Sequence, residues 1–453
     1  MIEEKSQRKC KARSEGVSRR DFIKASAAVP LTALSWGFAS RLYAAGSDKL
    51  RVGLIGCGGR GTGAVYDCTS AAPNVEIYAL GDLFGDRLDK CLKLLREGDP
   101  EYKGHRYGET RPPLGEKLNV TPQRCFVGFD AYKKVIASGV DMVILTTPPH
   151  FRPAHLKAAV EAGKHVFMEK PVAVDPVGVR SIIASSELAG QKGLGILAGT
   201  QKRHRDYCLE IIKRVHNGDI GQIRAAQCYY TWGTAFSDWG YERQPGWSEM
   251  EWQLRRWYFF TWLSGDHIVE QHVHNLDLIN WALRSHPLKC LGMGGREVRT
   301  APEFGNIYDH FAVEYEYPDG VRMLSMCSQI NGTSQRVSER LVGTKGSTYT
   351  DLSIGYIEGQ NPFRYEKEGK NPYVQEHEDF IKSIRQGEPL NEGQAVAEST
   401  LTAIMGRMSA YTGRELKWDW AMNASKLDLT PPKYEMGDLP VRPAAIPGKT
   451  MLI

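Results

Sequence analysis

Short runs of apolar residues alternate with helix-like segments through the first half of the chain. Residues 49–55, 75–80, 141–145 and 163–168 read as strands buried on both faces, and residues 62–70 and 153–162 read as the helices between them. That alternation predicts an α/β fold, a doubly wound parallel sheet. Residues 93–122 break the pattern. They are polar, carry Pro100, Pro112 and Pro113, and read as an insertion outside the core. Further on, residues 223–230 form another strand, and residues 312–327 alternate about Pro318-Asp319-Gly320 as a hairpin. From 418 onward the chain is proline-rich and reads as an extended tail over the surface or a neighbouring subunit. The expected division is 1–45, 46–171, 172–417 and 418–453.

The first segment has its own signature. Arg19 and Arg20 precede a mild apolar run at 25–39, and Ala44, Ala45 and Gly46 supply the small residues a signal peptidase needs. This predicts a twin-arginine signal over 1–45, export of the folded chain by the twin-arginine machinery, and a periplasmic mature protein. The run is too short, and too rich in Ala and Ser, to span a bilayer.

Charge changes the picture only through its location. Of 58 basic and 53 acidic residues, nine and four lie in 1–45, so the remainder is balanced. Nothing there asks for nucleic acid or an anionic membrane. The nine cysteines form no Cys-x-x-Cys pair and no zinc spacing, so buried free thiols are the favoured reading, with a disulfide left open. At 453 residues the chain is too long for one core.

Candidate chemistry begins where the first strand meets Gly56-Cys57-Gly58-Gly59-Arg60-Gly61. Strand, G-x-G-x-x-G and helix in that order predict a dinucleotide site, with the diphosphate at the helix N-terminus. Asp82 ends the second strand, where an acid binds the ribose 2′-hydroxyl and repels a 2′-phosphate. NAD is therefore favoured over NADP, with Arg60 and Arg87 pulling the other way. Thr147, Pro148 and His150 after one strand, and Glu169 and Lys170 after the next, complete the expected cofactor contacts.

The glycine loop, Thr147-Pro148-Pro149, and the run 163–171 ending in Glu169-Lys170-Pro171 together resemble the glucose–fructose oxidoreductase / inositol dehydrogenase / rhizopine-catabolism family. The likeness continues through Gly218-Asp219-Ile220-Gly221, the helix-like 376–381 and Tyr411-Thr412-Gly413-Arg414. It implies a C-terminal α+β domain with a large, mostly antiparallel open sheet, whose open face pairs subunits into a homodimer or homotetramer. It also implies that Lys170 meets substrate and nicotinamide. In such proteins an Asp and a His, four residues apart on a helix, complete the site. Here the matching positions hold Glu270 and His274, followed by Asp277, and His272 stands where glycine is common.

Residues i and i+4 on a helix share one face, so Glu270 and His274 are expected to act together. His274 is the expected general base, Lys170 the group that polarises the hydroxyl, and Glu270 the orienter of the imidazole. The cluster of Asp266, His267, Glu270, His272, His274 and Asp277 also invites a metal, but i and i+2 ligands diverge on a helix, and no metal is expected. Arg203, His204, Trp232, His272 and Asp277 are the expected substrate contacts. Trp239, Tyr241, Trp247, Trp252, Trp257 and Trp262 add faces suited to sugar rings.

The resulting expectation is an exported oxidoreductase acting on a sugar, glycoside or polyol. Little soluble NAD exists outside the cytoplasm, so a tightly held cofactor is expected. Two alternatives stand beside it: a glycosidase working by transient oxidation and elimination, and a non-catalytic sugar-binding protein.

Overall fold

The computed structural model describes residues 49–102, 109–233, 242–367 and 369–453. The twin-arginine segment, Trp239 and Tyr241 lie outside the described residues. β1 (Leu50–Ile55) enters the interior with only Arg51 exposed, and helix α1 (Gly59–Ala71) follows it directly. β2 (Val75–Asp82), α2 (Gly85–Glu97), β3 (Cys125–Val127), α3 (Ala131–Ala137), β4 (Met142–Leu145), α4 (Arg152–Glu161), β5 (His165–Met168), α5 (Pro176–Gln191) and β6 (Ile196–Ala198) continue the alternation. The six strands are parallel, in the order β3-β2-β1-β4-β5-β6. The order reverses between β1 and β4, and the crevice beyond their carboxyl ends is where open α/β sheets bind ligands.

The insertion expected at 93–122 is a partial error. Residues 93–97 are the last turn of α2, and Leu95 is fully buried. The apolar positions of α2 recur at helical spacing (Leu88, Cys91, Leu95), a period masked by the charges between them. Leu118 also bridges to Ile77 of the sheet.

After α6 (Asp206–His216) comes the second sheet. Its strands are β7 (Ile223–Thr231), β8 (Lys289–Gly295), β9 (His310–Glu316), β10 (Arg322–Ser328), β11 (Arg336–Gly343), β12 (Gly346–Asp351), β13 (Gly355–Gly359), β14 (Phe363–Arg364) and β15 (Leu416–Lys417). Nine strands lie in the order β14-β13-β12-β11-β7-β10-β9-β8-β15, antiparallel except for β7 beside β10. The β9–β10 hairpin forms about Pro318–Gly320, pairing Glu316 with Arg322 and His310 with Ser328. Along β10 buried and exposed residues alternate, the mark of a sheet covered on one face.

Short helices α7 (Glu249–Arg255), α8 (Thr261–Ser264), α9 (His267–Glu270) and α10 (Val273–Leu283) connect β7 to β8. Two closing helices tie the halves together. α11 (Pro372–Arg385) packs on α1, while α12 (Gly393–Thr412) packs on both α5 and β8 and is buried on nearly every side. After α13 (Trp418–Asn423) the tail runs over the chain's own surface. Leu429 donates to Asp175, and Tyr308 donates to the Ala445 carbonyl. The eight described cysteines are free, and seven are buried. No described helix is long and apolar enough to cross a membrane.

Candidate functional site

The turn after β1 is built so that only glycine fits at two positions. Gly56 has φ +102°, and a Cβ there would sit 2.7 Å from the Thr146–Thr147 backbone. A Cβ at Gly61 would lie 2.0 Å from the Gly56 carbonyl oxygen. At Gly58 and Gly59 the space is open, with no atom within 4 Å of an added Cβ. Both line a cavity of 520 Å³ together with Gly56, Gly61, Asp82, Thr147 and Pro148. α1 starts here without a side-chain cap, leaving its first N–H groups for an anion. An open glycine floor at an uncapped helix start fits a dinucleotide's diphosphate.

Asp82 sits at the cavity edge, its carboxylate accepting from Cys57 N at 2.6 Å and Phe84 N at 2.8 Å. Burial pushes its pKa up, against the pull of those two bonds. Asp82 therefore holds the glycine loop in shape as well as facing the cavity. Two expected cofactor residues point elsewhere. His150 is buried, bonded to the Tyr434 hydroxyl at 2.7 Å, with its ring edge against Trp262 and its pKa pushed down to about 4 by burial. Glu169 accepts from Arg60 Nε at 2.5 Å. Arg60 also meets Asp67 at 2.8 Å and Glu376 at 3.5 Å, so its charge is matched by the protein's own carboxylates.

At the end of β5, Lys170 donates to Glu270 twice, to the backbone carbonyl at 2.6 Å and to Oε1 at 3.1 Å. Glu270 is buried, which raises its pKa against the pull of Lys170. The helix expected to carry both Glu270 and His274 is interrupted. α9 ends at Glu270 and α10 begins at Val273, so no single α-helix carries both residues. No hydrogen bond joins Glu270 to His274; Glu270 instead accepts from Gln271 Nε2, whose Oε1 accepts from the Tyr230 hydroxyl at 3.0 Å. His274 opens α10 half-buried, with Nδ1 buried and unpartnered. Burial, then the charge of Lys170, drives its pKa well below 6.5.

A second break, between α8 and α9, precedes it. Gly265 and Asp266 both have positive φ, +78° and +77°. Asp266 caps α9 by accepting from His267 N at 2.5 Å, and also accepts from Tyr308 N at 2.8 Å and from the Tyr411 hydroxyl. Its burial pushes it up to about 7. Those anchors set the direction of the turn that carries Glu270.

Four of the five expected substrate contacts are committed to the protein. Asp277 forms a two-pronged pair with Arg203, both distances 2.9 Å, and accepts from Ser399 at 2.8 Å. His204 Nδ1 lies 2.7 Å from Asp379. His272 is fully buried, its Nε2 2.8 Å from the Ser325 hydroxyl, its pKa held at about 3. Its ring fills the interior, two positions from His274, a spacing at which helical side chains diverge. Trp232, just past β7, is half-buried. The grip of Gln271 and Tyr230 on Glu270 was not foreseen, and Asp266 was counted only within the polar cluster; Gly265-Asp266 before the acid was the one available signal.

Residues 50–194 match the family described as an oxidoreductase family with an NAD-binding Rossmann fold, and residues 208–349 match the GFO/IDH/MocA C-terminal domain. The chain is 27% identical over 214 residues to 2,7-anhydro-N-acetylneuraminate hydratase of Escherichia coli (strain K12), which covers 47% of this chain and 52% of that protein. It is 27% identical over 232 residues to a glycosyl hydrolase family 109 protein of Shewanella amazonensis, covering 48% and 46%. The chain thus spans about half the length of the curated relatives it matches. In fold it resembles the aldose-aldose oxidoreductase of Caulobacter crescentus solved with glycerol. The TM-score is 0.61 at 18% identity, over 82% of this chain and 99% of that one.

Proposed function

We propose that this chain, which belongs to the GFO/IDH/MocA oxidoreductase family, oxidises a hydroxyl of a sugar, glycoside or polyol with a nicotinamide dinucleotide that stays bound. The Lys170–Glu270 pair carries the reading. It is a nearly buried ammonium at the carboxyl end of β5, with His274 close enough for the ammonium charge to depress its basicity. Gly56, Gly58, Gly59 and Gly61 would hold the diphosphate and Asp82 a ribose, and the bound nicotinamide supplies the site that takes and returns a hydride.

Lys170 donates to the substrate oxygen and stabilises the negative charge developing there. Glu270 keeps the ammonium aimed, and Gln271 with Tyr230 keeps Glu270 in place. His274 stays neutral at physiological pH, so it has a lone pair for the hydroxyl proton. With Nδ1 buried, Nε2 is the nitrogen left to take it. Asp82 at the cavity edge repels a 2′-phosphate, which favours NAD over NADP. In this reading the mature chain acts in the periplasm, exported folded by the twin-arginine machinery, as a homodimer or homotetramer.

The names of the hydratase and glycosyl hydrolase relatives favour a second reading with the same residues. A transient ketone acidifies the neighbouring C–H, the aglycone leaves by elimination, water adds, and reduction restores the hydroxyl with no net redox change. The first test is mass spectrometry of the dinucleotide released by denaturing periplasmic protein purified without added cofactor. Near-stoichiometric NAD(H) supports the reading; protein that is empty and binds neither NAD nor NADP overturns it. Aglycone release from a glycoside panel, without net change in nicotinamide redox state, selects the second reading.

A further inference from the structure

The cavity that fits the dinucleotide is not walled by the parallel sheet alone. Its fourth side is Leu254 and Trp257, which lie beyond β7 in the other half of the chain. We propose that residues 248–260, fastened by the C-terminal tail, form a clasp across the dinucleotide cavity that retains the cofactor between half-reactions. This rests on the nicotinamide reading above.

The clasp is latched at its cavity end. Arg255 grips Asp86, in the first turn of α2, through both guanidinium nitrogens at 3.0 and 3.2 Å, and Glu251 through Nε at 2.9 Å. The same guanidinium stacks on Phe84, 4.0 Å from the ring centroid, and on Trp247 at 4.7 Å. From the same turn of α2, Arg87 donates to the Arg255 carbonyl at 3.3 Å. Phe84 and Arg87 themselves line the cavity, so the latch closes directly over the ligand space.

The tail locks the far side. The Ser248 hydroxyl accepts from Glu251 N, capping α7, and from Gly437 N, both at 3.2 Å. Met250 N donates to the Gly437 carbonyl at 3.0 Å, and Gln253 Nε2 donates to the Leu439 carbonyl at 2.7 Å. Tyr434 reaches His150 and packs its ring on Phe129 and Phe151, two further residues of the cavity wall. Departure of a dinucleotide past Trp257 therefore requires breaking a bidentate ion pair, two stacking contacts and the tail's grip together. A cofactor that is reduced and reoxidised in place needs such a barrier; one that exchanges at every turnover is hindered by it.

The test is release of bound NAD, measured by chasing unlabelled complex with isotopically labelled NAD and following exchange by mass spectrometry. Arg255→Met and Asp86→Asn are each expected to speed exchange by about tenfold or more, since each removes a bidentate charge-assisted contact. Lys213→Met, which breaks the exposed Lys213–Glu210 pair on α6 away from the cavity and the clasp, is expected to leave exchange unchanged. Wild-type exchange rates in both latch variants overturn the clasp. Amide hydrogen exchange in the wild type gives an answer that needs no variant. NAD must slow exchange across residues 252–259, and slowing confined to Gly56–Gly61 overturns the clasp while leaving the cofactor site standing. Failure of wild-type protein to bind NAD or NADP at all brings down the nicotinamide reading and the clasp with it.

Discussion

Gly58 and Gly61 belong to one motif but face different things, and a methyl group at each separates the cofactor from the fold. Gly58 has φ −71° and ψ −176°, extended backbone open to any residue, and a Cβ there meets no atom within 4 Å. Gly58→Ala therefore leaves the folded chain unstrained, and restricting the unfolded chain adds about 0.4–1 kcal/mol of stability. The methyl does occupy the floor of the cavity. Losing about two charge-assisted N–H contacts to a diphosphate, at ~1.5 kcal/mol each, costs ~3 kcal/mol and weakens dinucleotide binding about a hundredfold. Gly61→Ala is different, because its Cβ falls 2.0 Å from the Gly56 carbonyl oxygen and 2.6 Å from the Thr146 hydroxyl. The loop has to part from the β4 end, at about 1–3 kcal/mol of stability. Titration calorimetry with NAD, beside thermal unfolding of both variants, reads the contrast. Wild-type affinity in Gly58→Ala, or unfolding of Gly58→Ala as early as Gly61→Ala, refutes the cradle.

Lys170→Met removes the ammonium proposed to meet the substrate oxygen, so steady-state kcat is expected to fall about a thousandfold while NAD affinity, measured by calorimetry, stays within a few-fold. Arg203→Met strands the buried Asp277 carboxylate and is expected to cost about 3–5 kcal/mol in denaturant unfolding, with Arg203→Met/Asp277→Asn recovering much of it. His272 has a folded pKa of about 3 against 6.5, so the unfolded chain binds the extra proton. Stability is thus complete above about pH 6.5 and lost as pH falls toward 3, by about 1.4 kcal/mol for this group one unit below 6.5. His272→Gln should lessen the drop in unfolding midpoint between about pH 7.5 and 5.5, and an unchanged drop contradicts its neutral burial.

The parallel sheet was legible because its strands are apolar on both faces and its ligand loop is written in glycines, whose requirement is local and steric. The hairpin at Pro318–Gly320 was legible for a similar reason, since period-two alternation and a turn need no tertiary context. The short β3 and β6 escaped notice because three residues carry no period. The segment 264–277 was legible in composition and misread in shape. α9 starts afresh after a positive-φ turn at Gly265-Asp266, where Asp266 is held by Tyr308 and Tyr411, which lie 42 and 145 residues away in sequence. The same distance explains Arg203, His204 and Asp277. Their residue types suit a sugar, but Asp277 and Asp379 arrive from other helices to claim the two basic groups. Polar residues advertise hydrogen bonds, and only the tertiary structure says with whom.

The most direct test of hydroxyl oxidation at Lys170 is a single turnover followed by the near-ultraviolet absorbance of reduced nicotinamide. NAD-loaded protein is mixed with a panel of aldoses, glycosides and polyols, and Lys170→Met is run alongside. A rapid rise in reduced nicotinamide with at least one carbohydrate, absent in Lys170→Met, is the predicted result. An equal rise in Lys170→Met, or none with any member of the panel and no aglycone released, contradicts it.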